Sequence, residues 1–484
     1  MKKQVFNPYL PLWEYVPDGE PYVFGDRLYV YGSHDRCGGD NYCLNDYVCW
    51  SAPVYDLSDW RYDGVIYRST QDPANPNREM QLFAPDVACG PDGRYYLYYS
   101  LSFRNIASVA VCDTPSGQYE YYGDIVYPDG TPLGQQPGER VFDPGVLVED
   151  GQVYLYTGFS PSRALSDFIQ QLGRRPIGSK GSTVTELEPD MKTVKNAPKA
   201  LLPGWENSED TGFEGHEFFE ASSIRKFGEL YYLVYSSVQS HELCYATSAF
   251  PDRGFRYRGI LHSNGDIGLA GASEAQSFWG NNHGSLVQLG EAFYIFGHRQ
   301  TNAHEFSRQG VAERLVRDGD GFLQAEMTSC GLNGGPLIGR GAYSAGVACT
   351  LRSAEGACKT TEAKREIHPY ITQEEPDYEP ESGRELPVQF ICNLCNGSAA
   401  GFKYFALENL RQISVEVRGS EGEVICSFSE RGKPDAAFTV SIPVSPAEEW
   451  QTVFAQAAVP NSEYALTFLR RGEGSMDFKG FTLA

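Results

Sequence analysis

Five positions in this 484-residue chain could do proton chemistry together: Asp18, Asp86, Asp143, Glu220 and His283. Each stands 10–12 residues ahead of the second residue of an aromatic cluster. The clusters are Leu28-Tyr29-Val30-Tyr31, Tyr95-Tyr96-Leu97-Tyr98, Val153-Tyr154-Leu155-Tyr156, Tyr231-Tyr232-Leu233-Val234 and Phe293-Tyr294-Ile295-Phe296. Asp143 sits in Phe142-Asp143-Pro144 and Glu220 in Phe219-Glu220-Ala221. Apolar neighbours desolvate a carboxyl, raise its pKa and make it a proton donor at neutral pH. Two carboxyls on opposite sides of a pocket can cleave a glycosidic bond, one protonating the leaving oxygen and one acting on the other face.

The elements that must position these groups follow from the same repeat. A turn signal separates each polar residue from its cluster: Gly25-Asp26, Pro91-Asp92-Gly93, Asp150-Gly151, Gly228-Glu229 and Gly290-Glu291. The clusters recur every 58–78 residues, which suits four-stranded modules with long connections. The prediction is an all-β chain: a five-bladed β-propeller over 1–335, its polar residues converging on one axis. One short helix is expected between Ser162 and Leu172, and the loops 40–46, 160–172 and 273–281 are expected to wall the pocket. Residues 336–384, with Pro369, Pro376 and Pro380, read as closing strands and a linker. Residues 385–484 return to short alternating strands and predict a β-sandwich of jelly-roll type.

The net charge of −23 argues against nucleic acid or an anionic membrane as partner. No 18-residue apolar stretch is present, so no transmembrane helix is expected. Pro8, Pro11 and Glu14 interrupt the region where a secretory core would lie, which predicts a cytoplasmic protein. Of the 12 cysteines, only Cys392 and Cys395 form a Cys-x-x-Cys, and without a second pair zinc is not expected. Reduced thiols are the expectation.

On these motifs residues 1–335 resemble the family 43 glycoside hydrolases. The carriers are Asn7-Pro8-Tyr9-Leu10-Pro11 with Pro17-Asp18-Gly19-Glu20-Pro21, Phe83-Ala84-Pro85-Asp86-Val87, Phe142-Asp143-Pro144, Phe219-Glu220-Ala221-Ser222-Ser223 and Asn282-His283-Gly284-Ser285. The resemblance implies Asp18 as general base, Glu220 as general acid and Asp143 as the residue that tunes and orients the acid. It implies inversion, a calcium ion near His283, and substrate-binding roles for Phe83, for Asp86 at the pocket floor and for Arg299, which would reach the sugar or Asp143. Phe83 stands where many relatives have Trp. The C-terminal region is similar to family 6 carbohydrate-binding modules through Asn396-Gly397-Ser398, Gly401-Phe402-Lys403-Tyr404-Phe405, Trp450 and Asp477-Phe478; a calcium ion could also sit there. The expected activity is removal of terminal α-L-arabinofuranose from arabinoxylan-derived, pentose-containing oligosaccharides, with β-xylosidase activity as the alternative. A propeller phosphorylase would need a cationic phosphate cluster in place of Asp18. A non-catalytic carbohydrate-binding propeller would lack one of Asp18, Asp143 or Glu220, and all three are present.

Overall fold

The computed structural model describes residues 3–171, 180–375, 378 and 384–484. The end of the expected 162–172 helix, and Pro376 and Pro380 of the expected linker, lie outside these residues. The chain is almost entirely β, as its sequence predicts. Five antiparallel sheets follow one another, each a meander in chain order. The first holds β1 (Glu20–Phe24), β2 (Arg27–Tyr31), β3 (Tyr47–Pro53) and β4 (Arg61–Tyr67). The second holds β5 (Leu82–Cys89), β6 (Tyr95–Leu101), β7 (Ala107–Cys112) and β8 (Glu120–Asp124). The third holds β9 (Gly145–Glu149), β10 (Gln152–Thr157), β11 (Thr183–Leu187) and β12 (Val194–Ala200), with α1 (Arg163–Gln171) between its second and third strands. The fourth holds β13 (Phe218–Phe227), β14 (Leu230–Ser237), β15 (Glu242–Ser248) and β16 (Arg256–Ser263). The fifth has three strands, β17 (Leu286–Leu289), β18 (Ala292–Gln300) and β19 (Arg308–Leu315).

The aromatic clusters are the second strands. Side chains alternate across a strand, and here both faces are apolar, so each second strand feeds two cores. Tyr29 and Tyr31 pack with Leu97 and Tyr99 of the second sheet, while Leu28 and Val30 pack with Tyr294 and Phe296 of the fifth. Tyr96 and Tyr98 meet Val153 and Leu155; Tyr154 and Tyr156 meet Leu233 and Tyr235; Tyr232 and Val234 meet Phe293 and Ile295. An apolar core therefore lies between every pair of successive sheets, and the last sheet closes on the first. Burying one such Leu, Val or Phe is worth about 1.5–3 kcal/mol.

Tight turns set the register. Gly25, Gly228 and Gly290 take φ of 63°, 61° and 62° as first central residues of two-residue hairpins, the II′ geometry. Asp150 and Gly151 both have positive φ, the I′ geometry. First strands contact one another, β1 with β5 and β17, and β9 with β5 and β13. A bridge between Gly19 and Gly284 joins the start of the first sheet to the fifth. Asn7 completes the clasp: its Nδ2 donates to Ala312 O at 3.0 Å and to Glu313 Oε1 at 2.8 Å, and Ala312 N donates back at 3.0 Å.

The C-terminal region forms two sheets over one core. One contains Ala399–Leu407, Ser462–Arg471, Gly422–Glu430 and Lys433–Val444; the other contains Gln389–Cys395, Ser475–Leu483, Gln412–Gly419 and Ala447–Gln456. Phe402 and Phe468 of the first face Phe481 of the second at 4.9 and 4.8 Å between ring centroids. The segment 336–384 differs from expectation. Leu337–Ile338 and Thr350–Arg352 pair with Ala399–Leu407, Gly341–Ser344 pairs with Ser475–Leu483, and Tyr370–Gln373 pairs with Gln389–Cys395. Its strands extend the C-terminal sheets rather than closing the fifth sheet, whose edge Asn7 already covers.

Candidate active site

Asp18, Asp143, Glu220 and His283 all line one cavity of about 290 Å³, near the roughly 300 Å³ lower end of small-ligand sites. Tyr42 and Cys43 from the 40–46 loop, Leu165 from α1, and Gly280 and Asn281 from the fifth-sheet approach form its walls. Phe83, Phe142, Phe159 and Phe219 make an aromatic arc along it, with successive centroids 5.8, 5.2 and 5.3 Å apart. Aromatic faces of this kind stack on the apolar faces of sugars.

The backbone bends to present the carboxyls. Asp18 and Asp143 take φ of 58° and 43°, and Ala221, next to Glu220, takes 67°. Asp tolerates this left-handed region better than Ala does, so the strain concentrates beside Glu220. The β13–β14 ladder also slips between Phe218 and Ser223, a bulge of the kind that re-aims a side chain.

The three carboxyls sit in different fields. Asp18 is buried, which alone would raise its pKa, but Arg308 Nη1 lies 3.0 and 3.3 Å from its two oxygens. Arg308, with His298 (Nδ1 at 3.2 Å) and His283, overrides burial and holds Asp18 well below the ordinary carboxyl range. Asp143 is raised, by burial first and by Asp18 in part, against the pull of His283, whose Nδ1 is 3.5 Å from Asp143 Oδ2. Glu220 is raised well above the ordinary range, by desolvation and then by the Asp143 charge, with His283 and Arg308 opposing. It is half-buried, and no ion pair or hydrogen bond of its carboxyl occurs among the described residues.

Behind His283 lies a second charged cluster. Glu20 Oε1 is 3.7 Å from His283 Nε2, and Glu20 Oε2 accepts from Arg225 Nη2 at 2.6 Å and from Ser223 Oγ at 2.9 Å. Arg225 lies 3.9 Å over the Tyr22 ring. Burial opposes protonation of His283, but Asp143 and Glu20 prevail and raise its pKa well above the usual value. A calcium ion wants six to eight oxygens. Here one carboxylate oxygen, Glu20 Oε1, is buried without a hydrogen-bond partner, and the His283 imidazole stands between it and Asp143. The protein itself offers little of a calcium shell around His283, and an ion there would be held largely through waters; Arg225 stands beside Glu20 as a positive charge. Elsewhere His216, Glu242 and Cys244 come close together, but His216 Nδ1 and Ser237 Oγ already contact Glu242 Oε1 at 2.6 and 2.5 Å.

Two expected substrate contacts lie elsewhere. Asp86 is fully buried and does not line the cavity. Its oxygens accept from Tyr22 Oη at 2.6 Å, Val87 N at 2.8 Å and Val146 N at 2.7 Å, which ties the first three sheets together. Burial and Glu20 push its pKa up to about 7 against Arg225 and these bonds. Arg299 reaches neither the cavity nor Asp143: it donates to Gly346 O at 2.6 Å, Ala348 O at 2.7 Å and Gln309 Oε1 at 2.7 Å, and so pins the C-terminal region to the fifth sheet. The alternation of β18 turns Arg299 away from the axis. The guanidinium of the site is Arg308, at the start of β19, shared between Asp18 and Asp35 (Nε to Oδ2 2.9 Å, Nη2 to Oδ1 3.0 Å). Its sequence signal was Asp35 in Gly32-Ser33-His34-Asp35, directly after the β2 cluster, facing an Arg at the opening of the third strand of the last repeat.

A free, raised carboxyl and an ionised one on the same sugar-sized cavity, lined from five successive sheets, mark a glycoside hydrolase of the β-propeller type. The chain belongs to glycosyl hydrolases family 43, whose profile matches residues 15–323. It is 48% identical to a xylosidase/arabinosidase of Thermoclostridium stercorarium over 100% of this chain and 99% of the relative. A xylosidase/arabinosidase of Bacteroides ovatus is 30% identical over 60% of this chain and 87% of its own length. Among solved structures, the exo-beta-1,3-galactanase of Phanerochaete chrysosporium superposes with TM-score 0.52 at 14% identity, covering 99% of this chain and 98% of that one. The GH43_1 enzyme from Xanthomonas citri with bound xylose gives 0.51 at 24%, covering 66% and 93%. At these identities the two structures bear on the fold alone.

Proposed function

We propose that this chain is an inverting exo-glycosidase that removes terminal α-L-arabinofuranosyl residues from arabinoxylan-derived oligosaccharides. The observation that carries the reading is the division of charge: Asp18 is held ionised by Arg308, while Glu220 keeps a high pKa and a free carboxyl on the same cavity. Asp18 takes a proton from the attacking water, and Glu220 protonates the departing oxygen. Asp143 keeps Glu220 protonated by its charge and is itself oriented by His283. Inversion needs the base and acid about 6.5–9.5 Å apart, with a water between. β-Xylosidase activity is the second reading, because the full-length relative is named for both activities. The five sheets are read as the blades of one propeller over 1–335, and the two C-terminal sheets as a β-sandwich resembling family 6 carbohydrate-binding modules. Hydrolysis of nitrophenyl α-L-arabinofuranoside, β-xyloside and arabinoxylo-oligosaccharides, with proton NMR of the first product, tests the proposal. Release of arabinose with inverted configuration is expected; a retained anomer overturns the mechanism, and no release from any pentoside overturns the function.

A further inference from the structure

The cavity has one wall from outside the family-matched residues 15–323. Lys359, Thr360 and Thr361, from the segment that joins the two halves, line it together with the catalytic carboxyls. This wall is built into the fold. Lys359 forms a parallel bridge with Trp279; Trp279 N donates to Cys358 O at 3.3 Å and Thr360 N donates to Trp279 O at 2.7 Å. The next residues, Gly280 and Asn281, continue the same wall, and Asn264 Nδ2 at the end of the fourth sheet donates to Asn281 O at 2.8 Å. Ser240, also from the fourth sheet, lines the cavity beside them. Glu220 opens that fourth sheet, so this wall and the proposed acid, from whose side the leaving group departs, are held by the same sheet.

Three basic side chains line the cavity, and two are engaged. Arg308 is bound to Asp18 and Asp35, and His283 lies between Asp143 and Glu20. Lys359 makes no ion pair or hydrogen bond through its ammonium among the described residues; the ammonium lies 5.8 Å from the centre of the Trp279 ring. An ammonium offers three donors and no acceptor. Sugar hydroxyl oxygens beside an aromatic ring are the acceptors that match it.

We infer that Lys359 is a specificity-determining residue: held by the Trp279 bridge, it donates hydrogen bonds to the hydroxyls of the leaving-group sugar. The active site would then be completed by the C-terminal half, and its preferred substrates would be oligosaccharides rather than aryl glycosides. This rests on the glycosidase reading above.

The test compares the full-length wild type with Lys359→Met, Lys359→Arg and Lys364→Met on an arabinoxylo-oligosaccharide and on nitrophenyl arabinofuranoside. A hydrogen bond from a charged donor is worth enough that Lys359→Met should lower the ratio of oligosaccharide to nitrophenyl kcat/KM by about tenfold. Lys359→Arg should keep much of the ratio. Lys364, exposed in the same segment, should leave it unchanged on substitution, and the thermal midpoints should agree. An unchanged ratio in folded Lys359→Met overturns the inference while leaving the glycosidase reading intact, as does an equal fall in Lys364→Met. A wild type that cleaves neither substrate overturns both.

Discussion

Arg308→Met removes the one guanidinium that two buried carboxylates share. In the intact protein three contacts of 2.9–3.0 Å join Arg308 to Asp18 and Asp35, and the Tyr42 ring lies 4.8 Å away. All three charged side chains are buried. Taking one partner from a buried ion pair costs about 3–5 kcal/mol, against a total stability of about 5–15 kcal/mol. The pH dependence has a definite sign. Asp18 in the wild type has a depressed pKa, so its contribution is present above the unfolded Asp value of about 3.9 and is lost as pH falls through the native one. Without Arg308, burial and the neighbouring carboxylates dominate and the native carboxyl prefers its proton. The variant's deficit should therefore be largest at pH 7 and shrink toward pH 4. Urea unfolding at pH 7 and pH 5 measures it. The pH–rate profile gives an independent reading: an acid limb, set low by Asp18 in the wild type, should move up in the variant as Asp18 becomes easier to protonate. Adding Asp35→Asn should recover part of the stability, because one uncompensated charge is removed. A loss under about 1 kcal/mol, equal at both pH values, would refute the claim that this pair sets the state of Asp18.

Glu220→Gln should lower kcat on oligosaccharides by about 10²–10⁴-fold, with a smaller loss on nitrophenyl glycosides, whose leaving group needs less protonation, and with the basic limb of the profile gone. Asp143→Asn removes a charge that raises the Glu220 pKa, so the basic limb should move to lower pH, with a kcat loss of about 10²-fold from misplaced groups; a basic limb that moves up would reverse the assignment. Arg225 and His283 already stand beside Glu20, so activity after EDTA treatment and dialysis should equal the untreated value; loss that calcium restores would place an ion at His283.

Much of the fold can be read from the chain because one cause writes it repeatedly. A strand packed on both faces must alternate two apolar sets, as Leu28 and Val30 do against Tyr29 and Tyr31, and a two-residue turn needs glycine, as at Gly25. The same repeat brings Asp18, Asp143, Glu220 and His283 to one cavity. It cannot separate them from Asp86, which has the same spacing but an extended backbone and two donors, Tyr22 and Val146, waiting in adjoining strands. Arg299 and Arg308 differ by strand and by facing. In Gly297-His298-Arg299 nothing local says that the guanidinium will meet the carbonyls of Gly346 and Ala348, almost fifty residues on. The role of 336–384 was obscured by its prolines and charges. Its strands are only two to four residues long, too short for alternation to show.

The proton in this site is placed by exclusion. Four carboxyls, Asp18, Asp35, Asp143 and Glu220, stand close together, and among the described residues the basic groups in contact with them are Arg308 and the imidazoles of His283 and His298. Arg308 takes Asp18 and Asp35 in one grip, and His283 takes Asp143. His298 stays near neutrality because burial pulls its pKa down against Asp18. Glu220 is left with no cation in contact and with Asp143 as its strongest charged neighbour. Like charges in one dehydrated space cannot all ionise, so the proton settles on the carboxyl with the least compensation. Asp18 and Glu220 are thus pushed apart in pKa because Arg308 contacts one and not the other, and the acid and base roles proposed for them rest on where a single guanidinium is anchored.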